Sequence, residues 1–123
     1  FPYTTLFRSM ESLRHEKKEN LILALFNTKN RLITDVLLSV GTASASLVDV
    51  PEIFRQALIA NATQMVLIHN HPSGDPAPSP EDINVTRKLS EAGELVGIRL
   101  LDHIILGRNT YNSIISSNLI KFS

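Results

Sequence analysis

The chain has 123 residues, of which 43% are hydrophobic and 20% charged, a balance typical of one globular domain. It contains no cysteine, which excludes disulfide frameworks, thiolate zinc fingers, redox Cys-x-x-Cys sites, cysteine hydrolases and zinc deaminases with cysteine ligands. Any metal site must therefore use histidine, aspartate or glutamate. Twelve Lys and Arg balance twelve Asp and Glu, so we expect no strong nucleic-acid binding by this domain alone.

The chain also has no pattern that indicates a membrane partner. No apolar run approaches the ~20 residues of a membrane span, and the N-terminus does not have the basic start and apolar core of a signal peptide. We therefore expect a cytoplasmic protein. Residues 1–9 fit neither a helical nor a strand period, and we interpret them as a non-native or disordered leader to a single domain at residues 10–123.

The first predicted elements are a short exposed helix, or a frayed segment, at residues 10–18 and a pair of strands. Residues 20–26 are an almost unbroken apolar run, and apolar residues recur at even spacing in residues 31–40. We therefore predict two strands joined by a tight turn at residues 27–30.

A helix with one apolar face is predicted over residues 51–62. The proline at position 51 suits the first turn of this helix. A buried strand at residues 65–68 follows. Residues 69–80, HNHPSGDPAPSP, contain four of the six prolines in the chain and are predicted to form a rigid, irregular loop. A stiff polar loop directly after a buried strand is a common place for functional residues.

The rest of the chain completes an α/β pattern. We predict a second helix over residues 81–92 with Gly93 at its C-terminal cap. A strand at residues 96–106, bent near Gly97, and a short strand at residues 111–114 follow. Strands interleaved with helices predict an α/β sandwich around a mixed sheet.

His69 and His71 lie two residues apart where the predicted strand enters the loop. In an extended backbone both imidazoles point to the same side. Pro72 keeps His71 out of the helical region and so favours that extended form. The pair could share one metal ion, although a chance pair of surface histidines has the same pattern.

Residues 79–82 match the start of a helix. Ser79 suits the N-cap, Pro80 the first helical position, and Asp82 a side chain that reaches back to the cap. The same cap would aim Asp82 and favour its ionised form at the positive helix end. Two histidines and one carboxylate form an open zinc set, with a fourth position for water.

A hydrolytic site also needs a general base that is not a metal ligand. The candidates are Glu11, Glu16, Glu19 and Glu52. Glu19 stands at the head of the first predicted strand and is therefore the one fixed against a buried element. A charged strand end that faces solvent explains the same residue about as well.

Two further patterns have simple structural interpretations. Asp102 and His103 lie on a predicted buried strand, and we interpret them as a satisfied structural pair rather than as support for a metal site. The letters of His69, Asn70 and His71 match the name of the HNH nuclease motif. That motif spreads its residues over a ββα element, so the match carries no weight.

The pattern as a whole resembles a known signature. His69-x-His71, seven intervening residues and Ser79-x-x-Asp82 resemble the JAMM (MPN/JAB) metalloprotease motif. The strings HNHPSG at His69 and LDHIILG ending at Gly107 resemble the bacterial RadC-like branch in particular. The resemblance covers residues 13–123.

The resemblance implies a cytidine-deaminase-like α/β/α sandwich with a mixed sheet flanked by helices. It implies that His69, His71 and Asp82 hold Zn²⁺, that Ser79 stabilises the oxyanion, and that Glu19 is the acid/base, with Glu16 as the fallback. The implied activity is hydrolysis of a peptide or isopeptide bond in a peptide or protein substrate. The alternative is a DNA-repair or recombination accessory domain in which the metal is structural.

Overall fold

The computed structural model describes residues 7–41 and 48–116, which form three helices and five strands. In chain order these are α1 (Phe7–Arg14), β1 (Glu19–Phe26), β2 (Leu32–Gly41), α2 (Val50–Ile59), β3 (Gln64–Asn70), α3 (Pro80–Val96), β4 (Arg99–Leu106) and β5 (Tyr111–Ser113). Within these two ranges, no helix has both the length and the apolar character needed to cross a membrane.

The five strands form one mixed sheet in the order β2-β1-β3-β4-β5. Strand β1 is antiparallel to both of its neighbours, β3 and β4 are parallel, and β5 is antiparallel to β4. Helix α3 connects β3 to β4, because parallel strands need a long crossover connection. The predicted α/β class with a mixed sheet is confirmed.

Each face of the sheet is covered by helices and has its own apolar core. Successive residues of a strand point to opposite faces. Leu67 of β3 belongs to a cluster with Ile53 of α2 and Leu89 of α3, whereas Ile68 belongs to a cluster with Leu13 of α1. Helices therefore lie on both sides of the sheet, as expected for an α/β/α sandwich.

The first two helices differ from their predicted bounds. Helix α1 begins at Phe7, inside the segment interpreted as a leader, and ends at Arg14; residues 1–6 lie outside the described ranges. Helix α2 ends at Ile59, before the predicted end at residue 62. It ends early because Asn61 has a positive φ of 56°, a left-handed conformation that terminates helices.

Strand β3 continues through His69 and Asn70, which were predicted to lie in the loop. The two residues pair with Ile105 and Leu106 of β4. The N–H of His71 also donates to the Leu106 carbonyl at 2.9 Å. The pairing makes His69 part of a central strand, so the irregular segment begins at His71.

Helix α3 runs to Val96 and is capped by Gly97 at a φ of 77°. The predicted cap at Gly93 and the predicted strand start at residue 96 are therefore wrong. A Cβ atom at Gly93 would lie 2.1 Å from the carbonyl oxygen of Ile98. Gly93 is thus required for close approach between α3 and the chain that returns into β4 at Arg99.

Candidate metal centre

His69 and His71 lie at the end of β3, on the face that α3 covers. His69 is buried, while the side chain of His71 is 18% exposed. Their Nε2 atoms are 2.9 Å apart. The structure therefore brings together the two imidazoles that the sequence places two residues apart.

The loop after β3 determines which nitrogen of His71 carries the hydrogen. His71 Nδ1 lies 3.0 Å from the Asp75 carbonyl oxygen. A carbonyl oxygen can only accept a hydrogen bond, so Nδ1 is the donor. In the neutral ring Nε2 then has the lone pair, and it is directed toward His69.

Asp82 reaches the histidines from the first turn of α3. Ser79 Oγ accepts from the Asp82 N–H at 3.1 Å, and Asp82 Oδ2 accepts from the Ser79 N–H at 2.8 Å. These two bonds form the predicted capping box. Asp82 Oδ1 is 3.4 Å from His69 Nε2, and Oδ2 is 3.5 Å from His71 Nε2.

The distances among these three side chains are close to those around a tetrahedral cation. With zinc–ligand bonds of about 2.0–2.1 Å, two ligand atoms of a tetrahedral site lie about 3.3 Å apart. The two Nε2 atoms are 2.9 Å apart, and each lies 3.4 or 3.5 Å from a different oxygen of the Asp82 carboxylate. Imidazole and carboxylate are also the ligands that remain for zinc in a chain without cysteine.

Two further side chains, Glu19 and His103, lie close to the candidate ligands. In the described part of the chain, Glu19, His69 and His71 form one group whose ligand atoms lie within 4.8 Å of one another. His69, Asp82 and His103 form another group by the same measure. Both groups include His69, with Glu19 nearest its Nε2 and His103 nearest its Nδ1.

Burial and hydrogen bonding keep two of the candidate ligands, His69 and Asp82, in forms that bind metal. Burial lowers the pKa of His69 to about 4, against an opposing effect of Asp82. Burial acts to raise the pKa of Asp82, but the hydrogen bond with His71, the nearby His69 ring and the Ser79 N–H hold it well below its usual range. The same hydrogen bond with Asp82 raises the pKa of His71. Hence at neutral pH His69 is neutral and Asp82 is ionised, as metal ligation requires.

Glu19 approaches from the neighbouring strand. Leu21 pairs with His69 across β1 and β3, so Glu19, two residues earlier, points to the same face. Glu19 Oε1 lies 3.7 Å from His69 Nε2. The pKa of the Glu19 carboxyl is raised, mainly by burial and also by the Asp82 charge. The His71 charge acts in the opposite direction.

Glu16, the fallback for the acid/base, lies with His71 on the wall of an open groove. Its side chain is exposed and belongs to neither candidate group among the described residues. Glu16 contributes to the site through its backbone carbonyl instead, which accepts a hydrogen bond from Asn70. The geometry therefore favours Glu19.

Asn70, which was not among the predicted site residues, links β1 to the candidate site. Its Oδ1 accepts from the Asn20 N–H at 2.7 Å, and its Nδ2 donates to the carbonyls of Lys18 at 2.9 Å and Glu16 at 3.3 Å. This buried amide holds the chain on both sides of Glu19. Its place between two histidines was the only local signal of this role.

Asp102 and His103 are both buried, and the backbone N–H of His103 donates to Asp102 Oδ1 at 2.8 Å, as a satisfied structural pair would. The Asp102 carboxylate accepts from Ser116 Oγ at 2.8 Å and from backbone N–H groups. His103 Nε2 lies 2.9 Å from His69 Nδ1, and its Nδ1 lies 2.8 Å from Thr86 Oγ1. The His103 ring therefore also contacts a candidate ligand, which the interpretation as a structural pair alone did not include.

An α/β/α sandwich with this histidine pair and capped aspartate defines the class of JAB (MPN) domains. The family model of the RadC-like JAB domain matches residues 3–119, and the chain belongs to this family. The resemblance stated from the sequence is thereby confirmed.

Relatives of the chain are UPF0758 proteins. The chain is 48% identical over 111 residues to that of Desulforamulus reducens, 43% over 119 residues to that of Methanosarcina mazei, and 48% over 104 residues to that of Clostridioides difficile. These alignments cover 90, 97 and 85% of this chain but 49, 51 and 44% of the relatives. The chain thus spans about half the length of the curated relatives it matches.

Proposed function

We propose that this domain is a zinc-dependent hydrolase of the JAMM type that cleaves a peptide or isopeptide bond. The observation that carries the proposal is the convergence of His69, His71 and Asp82 within 2.9–3.5 Å, beside the separate carboxylate of Glu19. Structural zinc sites are closed by four protein ligands, whereas catalytic sites keep an open position. Three ligands with a free carboxylate beside them favour catalysis over a structural metal.

In the proposed hydrolysis, the metal ligands and Glu19 have separate roles. His69, His71 and Asp82 hold the ion, which when bound supplies a Lewis acid and lowers the pKa of water. Glu19 accepts the proton of the attacking water and returns it to the leaving nitrogen. Its raised pKa brings that exchange closer to neutral pH.

Ser79 has a hydroxyl hydrogen available for the oxyanion. Its Oγ accepts from the Asp82 N–H in the helix cap, and among the described residues its O–H has no acceptor. A hydroxyl can accept and donate at once. The cap therefore fixes the oxygen while its hydrogen can stabilise the developing negative charge.

A groove beside His71 gives a substrate access to the site. Its volume is about 380 Å³, and its wall includes Lys17, Gly74, Gly107 and Arg108. The groove is open to solvent, and the side chain of His71 is partly exposed. An extended peptide segment fits such an approach better than a small, fully enclosed metabolite.

The test is cleavage by zinc-loaded protein of a diverse peptide library that includes isopeptide-linked lysine peptides, with products mapped by mass spectrometry. We expect products that disappear when the metal is chelated and return when zinc is added. Glu19→Gln is the matched control, because it should keep zinc and lose the products.

The results separate hydrolysis from the alternative. Identical product sets from wild type and Glu19→Gln would contradict the proposal. A DNA-repair accessory domain with a structural metal predicts a different result, in which neither protein cleaves any peptide and chelation unfolds the domain.

A further inference from the structure

A chain of hydrogen bonds runs from the first turn of α3 to the far side of the His69 ring. Thr86 Oγ1 donates to the Asp82 carbonyl at 2.8 Å, and the same Oγ1 lies 2.8 Å from His103 Nδ1. His103 Nε2 lies 2.9 Å from His69 Nδ1. Thr86 and His103 are fully buried, so no water competes for these bonds.

The chemistry of the groups gives every bond in this chain a direction. A carbonyl oxygen can only accept, so the one hydroxyl hydrogen of Thr86 points to Asp82, and Thr86 must accept from His103 Nδ1. His103 is fully buried, and its two ring nitrogens contact the hydroxyl of Thr86 and the ring of His69. The neutral ring, which carries a single hydrogen, is therefore the form that fits this site.

The direction of the hydrogen bond between His103 and His69 follows from the tautomer of His103. Because Nδ1 of His103 carries its hydrogen, Nε2 has the lone pair and must accept from His69 Nδ1. The neutral ring of His69 is thereby left with a lone pair on Nε2, the atom that faces His71 and Asp82. The opposite tautomer would put a hydrogen where a metal must bind.

We propose that Thr86 and His103 are positioning residues that hold His69 in the tautomer able to bind metal, and that they thereby raise metal affinity. The inference rests on the metal site of the proposed function. His71 Nδ1 carries a hydrogen in the same way because of the Asp75 carbonyl, and its Nε2 lies 2.9 Å from His69 Nε2.

The first measurement is zinc affinity, determined by competition with a chelator. Thr86→Val keeps the shape of the side chain but removes the hydroxyl that orients His103. We expect an affinity about 10- to 100-fold weaker, the effect typical of losing an outer partner of a ligand. Thr86→Ser restores the hydroxyl and should bind within about twofold of wild type.

Ser90→Ala is the matched control, because it removes a hydroxyl one turn further along α3. Ser90 Oγ is buried and has no hydrogen-bond partner among the described residues, so zinc affinity should not change. Circular dichroism of the metal-free proteins checks that each variant keeps the fold.

The second measurement is the tautomer itself, observed by NMR of metal-free wild type with isotopically labelled histidine nitrogens. We expect hydrogens on Nδ1 of His69 and His103 and none on Nε2 of His69. This measurement tests the inference even if Thr86→Val does not fold. A His69 that carries its hydrogen on Nε2 would overturn the inference.

The remaining outcomes distinguish the inference from the proposed function. If wild type binds zinc and folded Thr86→Val binds it within twofold, the positioning role is wrong and the metal site stands. If wild type binds no zinc, the proposed function fails and the inference fails with it. A His69 without hydrogen on Nδ1 in the zinc-loaded protein would show that His69 does not donate to His103, which also overturns the inference.

Discussion

Asn70 Oδ1 accepts a hydrogen bond from the backbone N–H of Asn20 at 2.7 Å and so joins the end of β3 to the start of β1. Asn70 lies between His69 and His71, and Asn20 directly follows Glu19. The bond therefore sets the distance between the candidate metal ligands and the proposed proton acceptor. It connects positions 50 residues apart in the chain.

Asn70→Ala should separate metal binding from hydrolysis. The change leaves all three candidate ligands in place but releases the backbone on both sides of Glu19, so zinc content should stay the same. Hydrolysis should fall by up to about 100-fold, the effect of a misplaced reacting group. Asn20→Ala is the control, since it keeps the backbone N–H that Asn70 binds. Full activity in Asn70→Ala would show that Glu19 needs no such anchor.

His69→Ala, His71→Ala and Asp82→Asn should each remove zinc and hydrolysis together. Each variant takes away one of the three proposed protein ligands, and the loss of one ligand of three should weaken metal binding sharply. Elemental analysis of protein purified with added zinc should give about one equivalent for wild type and much less for each variant. Unchanged zinc in both histidine variants would place the metal elsewhere.

Glu19→Gln should keep zinc and lose at least about 100-fold in hydrolysis, because the amide cannot accept the proton of the attacking water. The measurements are zinc content and the rate on a peptide that wild type cleaves. Glu16→Gln is the matched control and should behave like wild type, since its side chain is exposed. Loss of zinc from Glu19→Gln would make Glu19 a ligand; full activity would mean that another group is the base.

Gly93→Ala should destabilise the fold. Its Cβ would lie 2.1 Å from the Ile98 carbonyl oxygen, so α3 or the chain before β4 must move. Such overpacking costs about 1–3 kcal/mol in the free energy of unfolding, measurable by urea denaturation. A variant as stable as wild type would show that α3 can shift without cost.

The domain should not bind duplex or single-stranded DNA measurably at physiological salt. Its charges balance at twelve positive and twelve negative, so few phosphates can be neutralised together. Fluorescence anisotropy over a range of salt concentrations measures this. Submicromolar binding that weakens steeply with salt would instead support the accessory function.

Parts of the candidate site that lie close in sequence follow local rules and could be predicted. The capping box joins Ser79 to Asp82 across three positions, and it forms as helix-capping chemistry requires. The two histidines share one side because an extended backbone repeats every two residues. The ends of the strands were less predictable. Strand β3 extends through His69 because it pairs with β4, and such a long-range contact cannot be predicted from neighbouring residues.

By itself the sequence determined the fold class, the family and the set of candidate ligands, because alternation, caps and motif spacing are local properties. Tertiary structure alone decided the roles of Asn70 and His103. Met65 and Val66 of β3 pair with Leu100 and Asp102 of β4. One extra residue in β4 therefore interrupts its alternation, and His103 faces α3 and His69. A bulge is defined by its partner strand, and for that physical reason no period along the chain could have placed His103 beside the candidate ligands.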